Sequence, residues 1–240
     1  MSYNIFNNFL IFESTKNSMV NAFIKTSVNA WKDLWTKKYF KATFFLTIIL
    51  FSSTIHYSCY FITIWENREG IQLNDFILNK IPPKQLSPYI FFIIHSSLVI
   101  TLLLNTAQPK QLLKALQAYA LVLAFRTISI FLLPLEEPNG LIYLQDPITG
   151  FFLNSGVVVK KDLFFSGHIS AICLFYYYTE NKAWKTYLSI AIPILAILIL
   201  WQHVHYTVDI IAAPFFTYLG CKLIDKINET WKFGLDKLFP

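Results

Sequence analysis

Residues 186–209 read TYLSIAIPILAILILWQHVHYTVD. An apolar run of the ~20 residues that a bilayer demands of a helix ends by delivering His203, His205 and Asp209 in quick succession. His205 and Asp209 are four apart, so on a helix they share one face and their side chains meet. A carboxylate so placed holds an imidazole in one tautomer and supports the charge it gains on reacting. A charged Asp inside a membrane helix costs roughly 2.5–3.5 kcal/mol on insertion scales, which points to a chemical role for Asp209. A second stretch, DLFFSGH at 162–168, opens another apolar run and supplies His168 behind Ser166 and Gly167.

Composition sets the class around these two stretches. Hydrophobic residues make up 55% and charged residues only 14%, against about a quarter charged in soluble domains. The chain is expected to be all-α and polytopic. Six spanning helices are read at 42–64, 88–107, 112–133, 163–180, 186–203 and 204–223, forming one bundle. Pro82, Pro83, Pro88, Pro109, Pro134, Pro138 and Pro147 fall in or at the edges of connections, whereas Pro193 and Pro214 lie inside spans where neighbouring helices tolerate a kink. The connections 65–87 and 134–162 are long for a compact bundle, a length that often marks function. The expected organisation is an N-terminal segment 1–40, a membrane domain 41–225 and a tail 226–240. In the first, Ile24, Val28, Trp31 and Trp35 recur at helical spacing with Lys25, Lys32, Lys37 and Lys38 between them. That pattern fits either a helix lying in the membrane interface or one packed on the bundle. No Lys or Arg precedes Lys16 and no small-residue cleavage site follows, so a cleavable signal is not expected. Cys59, Cys173 and Cys221 sit in apolar runs without metal-ligand spacing and read as buried thiols. No Gly-rich cofactor loop is present.

The net charge of +6 resides in short juxtamembrane clusters rather than along one face, which argues for orientation signals and against nucleic-acid binding. The N-terminal arm, the start of the third span, the 181–185 turn and the tail hold 14 of the 20 Lys and Arg, and the opposite loops hold five: Arg68, Lys80, Lys84, Lys160 and Lys161. The positive-inside rule therefore puts both termini in the cytoplasm. Counting spans from there brings Arg126, His168 and His205 to one extracytoplasmic face, a convergence reached without using those residues.

The two stretches resemble the signature motifs of the sphingomyelin synthases, a branch of the type 2 phosphatidic acid phosphatase (lipid phosphate phosphatase) superfamily. The first motif, Asp, three residues, then Ser-Gly-His, is met by Asp162, Ser166, Gly167 and His168. The second, His-Tyr-Thr, one residue, then Asp, is met by His205, Tyr206, Thr207 and Asp209. The resemblance covers roughly residues 40–225 and implies an Arg in the third span, where Arg126 stands. Lys160-Lys161 replaces the Cys-Gly that precedes the synthase Asp. The phosphatase signature of Lys, six residues and Arg-Pro is absent, and Ile199 occupies the place of an Arg six positions before the nucleophile.

Phosphoryl transfer needs a nucleophile, a clamp for phosphate oxygens and an acid for the leaving alkoxide. The residues suit those roles: His205 as nucleophile oriented by Asp209, His168 as acid and then base, and Arg126 as a bidentate clamp. Ser166 and Gly167 are expected to turn backbone N–H groups toward a phosphate at a helix start, with Asp162 and Tyr206 as further substrate contacts. Arg126 could alternatively snorkel to the interface. His203 reads as a polar neighbour, and His56 and His95 as interhelical hydrogen-bonding groups. A zinc site made of His168, His203, His205 and Asp209 is conceivable, but the motif works without metal. No cofactor is expected. The resemblance implies a membrane phosphotransferase passing a phospho-head group from a phospholipid donor to a lipid alcohol through a phosphohistidine. The alternatives are a phosphatase that gives a lipid phosphate or polyprenyl pyrophosphate to water, and a non-enzymatic scaffold or transporter.

Overall fold

The computed structural model describes residues 2–144 and 159–238, and Asn154 and Pro147 of the 134–162 connection lie outside the described residues. Seven α-helices carry the described chain: α1 Ser2–Trp35, α2 Lys38–Trp65, α3 Ser87–Asn105, α4 Pro109–Leu132, α5 Gly167–Tyr178, α6 Lys182–Trp201 and α7 Thr207–Leu238. Five of them contain a stretch long and apolar enough to cross a membrane: Lys38–Ile62, Ser87–Asn105, Pro109–Leu132, Lys182–Trp201 and Thr207–Thr230. The described chain is thus all-helical, and these five helices support an integral membrane protein. Its outward apolar side chains, such as Phe92, Ile211 and Phe215, face where lipid would lie.

The expected span at 163–180 takes a different form. Its helix α5 has 12 residues, about 18 Å long, and is short of the ~30 Å hydrocarbon core. Residues 163–166 stay non-helical because the Ser166 N–H donates to the Asp209 carbonyl at 3.2 Å instead of entering a helix. What α5 lacks in length it gains in burial: Ile169, Ile172, Leu174 and Tyr178 are almost fully enclosed, and α3, α4, α6 and α7 all pack against it. It is the axle of the bundle. Helix α2 already starts at Lys38, after an extended Lys37, and α7 runs unbroken through position 226 to Leu238.

One end of the bundle is tied by polar bridges between helices. The Lys114 ammonium meets Asp225 at 2.9 Å, and the Tyr177 hydroxyl donates to the same carboxylate at 2.8 Å. The Trp184 indole donates to Thr101 and the Gln111 amide to Glu180, both at 2.9 Å.

The other end is a woven cap. Ile71 and Leu135 pair as a parallel bridge, and at Gly70 a Cβ would fall 2.7 Å from the Leu135 carbonyl carbon, so only glycine allows that approach. The Arg68 guanidinium donates to the carbonyls of Ile130 and Phe131 at 2.7 and 2.8 Å, closing the C-terminal end of α4. The fully buried Gln202 accepts from the Leu86 N–H at 2.8 Å and donates to Ser87 and to the Ile142 carbonyl. These bonds fasten the segments 66–86 and 133–144 over the ends of α6 and α7.

Candidate active site

Beneath this cap the two motifs meet. Helix α7 begins at Thr207, so His205 lies just before the helix rather than on it. The pairing with Asp209 arises differently from the shared helix face expected. Asp209 is the third helical residue, and its Oδ2 reaches back to accept the Tyr206 N–H at 3.0 Å, as the acidic member of a capping box does. The same oxygen accepts from His205 Nδ1 at 3.3 Å. A negative charge in the first turn is also favoured by the helix dipole. His205 and Asp209 are 2% and 0% exposed, so their mutual orientation is sheltered from water.

The first motif is bonded to the second. The Ser166 N–H is spent on the Asp209 carbonyl, so it does not face a phosphate as expected. The Ser166 hydroxyl, fully buried, and Asp209 Oδ1 make no hydrogen bond among the described residues. Buried polar atoms left unsatisfied are uncommon and concentrate at sites of chemistry. Phe165 stacks on Phe216 of α7 at 4.6 Å and 4°, pressing the motif loop onto that helix. His168, in the first turn of α5, faces His205 with ring centroids 6.3 Å apart and planes at 67°.

Arg126 completes the cluster. It lies six residues, about 9 Å, before the end of α4, and its side chain turns inward rather than snorkelling. Its Nε donates to the Phe165 carbonyl at 2.7 Å and an Nη to Asp162 at 2.9 Å. A Cβ at position 167 would sit 2.8 Å from the guanidinium carbon, so Gly167 is what lets Arg126 lie over the start of α5. Asp162 therefore holds the arginine rather than standing alone as a substrate contact.

Tyr206 does not point into the cluster. Its ring is buried and its hydroxyl donates to the Glu136 carbonyl at 3.0 Å and accepts from the Leu73 N–H at 3.3 Å. The place expected for a substrate contact is a post holding the cap. His203 has a left-handed φ of 58°, and its two ring nitrogens lie 2.6 Å from the Asn139 carbonyl and 2.9 Å from that of Ile81. It is a clasp between two loops beside the site. His56 lies against Tyr57, and His95 stacks on Phe91. Cys59, Cys173 and Cys221 are unpaired by disulfide.

Sequence reasoning missed the residues that brace the site from the loops. Asp75 accepts from the Thr207 N–H at 2.7 Å and the Thr207 hydroxyl at 3.0 Å, while also capping Ile77 and Leu78. Burial alone would raise its carboxyl, but these hydrogen bonds outweigh that and hold it below the usual carboxylate range. Lys161 bridges Glu136 at 2.8 Å and the Arg68 carbonyl at 2.7 Å, and Glu66 accepts the N–H groups of Lys160 and Lys161. Only the unusual length of the 65–87 and 134–162 connections signalled them.

Residues 161–227 match the family model described as PAP2 superfamily C-terminal, a stretch that contains both motifs. Over that stretch the chain is similar to the C-terminal part of the PAP2 superfamily. No curated protein matches the chain.

Proposed function

We propose that this chain is a membrane phosphotransferase that moves a phospho-head group between lipids through a phosphohistidine on His205. The observation that carries the reading is the cluster in which buried His205 pairs with buried Asp209, faces His168 and shares the motif loop with Arg126. Asp209 accepts a hydrogen bond from Nδ1–H of His205, which fixes the tautomer that leaves the Nε2 lone pair for attack on phosphorus. The N–P bond forms as the P–O bond to the donor lipid breaks, and protonated His168 gives its proton to the departing alkoxide. In the second half, His168 takes the proton of the incoming hydroxyl, whose oxygen displaces His205 from phosphorus. Arg126 spreads its charge over the phosphoryl oxygens, and the Ser166 hydroxyl is available to donate to them. Asp162 and the Phe165 carbonyl fix that arginine; Tyr206 positions the loops above it.

The cap favours a lipid alcohol over water as acceptor. Three residues flanking or within the second motif, Gln202, His203 and Tyr206, are all spent on holding loops over it, and a covered site restricts water. Hydrolysis of a lipid phosphate or polyprenyl pyrophosphate remains the second reading, since the same residues serve with water as the nucleophile. Membranes expressing the chain, beside a His205→Ala control, test both. A new phospho-head-group lipid made at the expense of a phospholipid establishes transfer; release of inorganic phosphate with loss of the lipid phosphate establishes hydrolysis. Acid quench with phosphorus-labelled donor should leave acid-labile label on the wild type and none on His205→Ala, whose turnover should fall roughly 10⁴-fold or more. Near-normal turnover in that variant would refute the mechanism.

A further inference from the structure

The elbow between α1 and α2 carries a site that the reaction does not use. Trp31 and Trp35 at the end of α1 pack edge-on against Phe40 and Phe44 at the start of α2, with ring centroids 5.2 to 6.2 Å apart. Buried Leu34, Phe40 and Leu113 close the joint from below. The Trp31 indole donates to the Thr106 carbonyl at 2.9 Å, in the turn between α3 and α4. The elbow is therefore held at the level where two spanning helices end, which is the depth that interfacial tryptophans occupy. A groove of about 520 Å³ opens there, lined by Trp31, Lys32, Trp35, Thr36 and Lys41.

Charge identifies the occupant. From 18 to 41 the chain carries five lysines, Lys25, Lys32, Lys37, Lys38 and Lys41, against the single acid Asp33, which by helical register lies across α1 from Trp35. Val20, Phe23, Ile24 and Val28 continue the Trp31 and Trp35 face of α1 and are all exposed. A small soluble anion would match the lysines but leave these apolar surfaces wet. A phosphate borne on glycerol and acyl chains satisfies both at once. We infer that the elbow binds the phosphate of an anionic phospholipid in the leaflet on the side of the termini, with Lys32 and Lys41 at the head group and the tryptophans against the glycerol.

Native mass spectrometry of the detergent-solubilised full chain, titrated with phosphatidylglycerol or with phosphatidylcholine, tests this. The wild type should hold one phosphatidylglycerol more tightly than phosphatidylcholine by roughly 10- to 30-fold, the preference two interfacial lysines confer. The Lys32→Gln/Lys41→Gln double variant should fall to parity. Lys182→Gln/Lys185→Gln, which removes equal charge from the other turn at the same end, should keep the preference. Parity in the wild type would overturn the inference. So would an equal loss in both double variants, because it would mean general attraction to basic surface.

Discussion

Asp75 shows how a residue outside both motifs reaches the chemistry. Its carboxylate binds the first backbone N–H and the hydroxyl of α7 at Thr207, two positions after His205, from a loop more than a hundred residues upstream. Asp75→Asn keeps the shape but removes the charge and replaces an acceptor with a donor facing N–H groups. Hydrogen bonds to a charged group are worth about 1.5–3 kcal/mol each when sheltered. Asp75 is partly exposed, so a net loss of about 1–2 kcal/mol is the reasonable scale. The sign with pH follows from its depressed carboxyl. The stabilisation is fully present above the ordinary value of about 3.9 and is lost as pH falls through the lower folded value. The wild type should therefore melt above Asp75→Asn at neutral pH, and the gap should close only below about pH 3.9. Thermal unfolding in detergent at a series of pH values checks this. A gap that persists unchanged into that acid range would show that the charge is not what holds Thr207.

At the scale of elements, the start of α5 is where backbone and the proposed site are joined most tightly. Alanine at 167 would place a methyl 2.8 Å from the Arg126 guanidinium, which is clamped on its other side by Asp162 and the Phe165 carbonyl. The arginine must shift, and a shift of about 1 Å in a clamping group costs on the order of 10²-fold in rate. Gly220→Ala offers the contrast: its methyl would meet the Val122 side chain at 2.9 Å, away from the cluster. That variant should lose stability, about 1–3 kcal/mol as overpacked sites do, while each folded molecule turns over normally. Turnover per folded molecule, with melting temperature measured in parallel, separates the two; equal activity losses would refute the distinction. The sequence made the long apolar helices legible because a period of burial and a length of ~20 residues leave a direct mark. Its two motif spacings single out His205 with Asp209 and His205 with His168, and these are pairs that lie side by side. Two things it concealed for physical reasons. The shortening of α5 depends on a tertiary bond, Ser166 to Asp209, that has no local signature. The bracing roles of Asp75, Glu136 and Gln202 are played largely through backbone groups, which every residue carries alike.

Taken whole, the molecule has two chemically distinct ends, and this polarity bears on which lipid the site meets. At one end lie Trp31, Lys114, Trp184 and Asp225, together with the lysine-rich elbow and the 181–185 turn. At the other lie the cap residues Arg68, Asp75, Glu136 and Lys161, above the His205 cluster. The excess of Lys and Arg at the first end predicts that it faces the cytoplasm, so the cluster should open to the extracytoplasmic leaflet. Single cysteines test this in a background with Cys59, Cys173 and Cys221 replaced by alanine. Asn139 is exposed in the cap, and it meets His203 through its backbone carbonyl, so Asn139→Cys leaves that contact intact. At the opposite end Lys182 is preferable to Asn181, whose side chain caps α6 by accepting the Trp184 N–H at 2.9 Å. In right-side-out sealed vesicles, Asn139→Cys should react with a membrane-impermeant maleimide and Lys182→Cys should react only after detergent is added. A donor lipid confined to the outer leaflet should then be consumed without flipping. The reverse labelling pattern would turn the cluster toward the cytoplasm, move the lysine-rich elbow to the outer leaflet and make the inner leaflet the source of substrate.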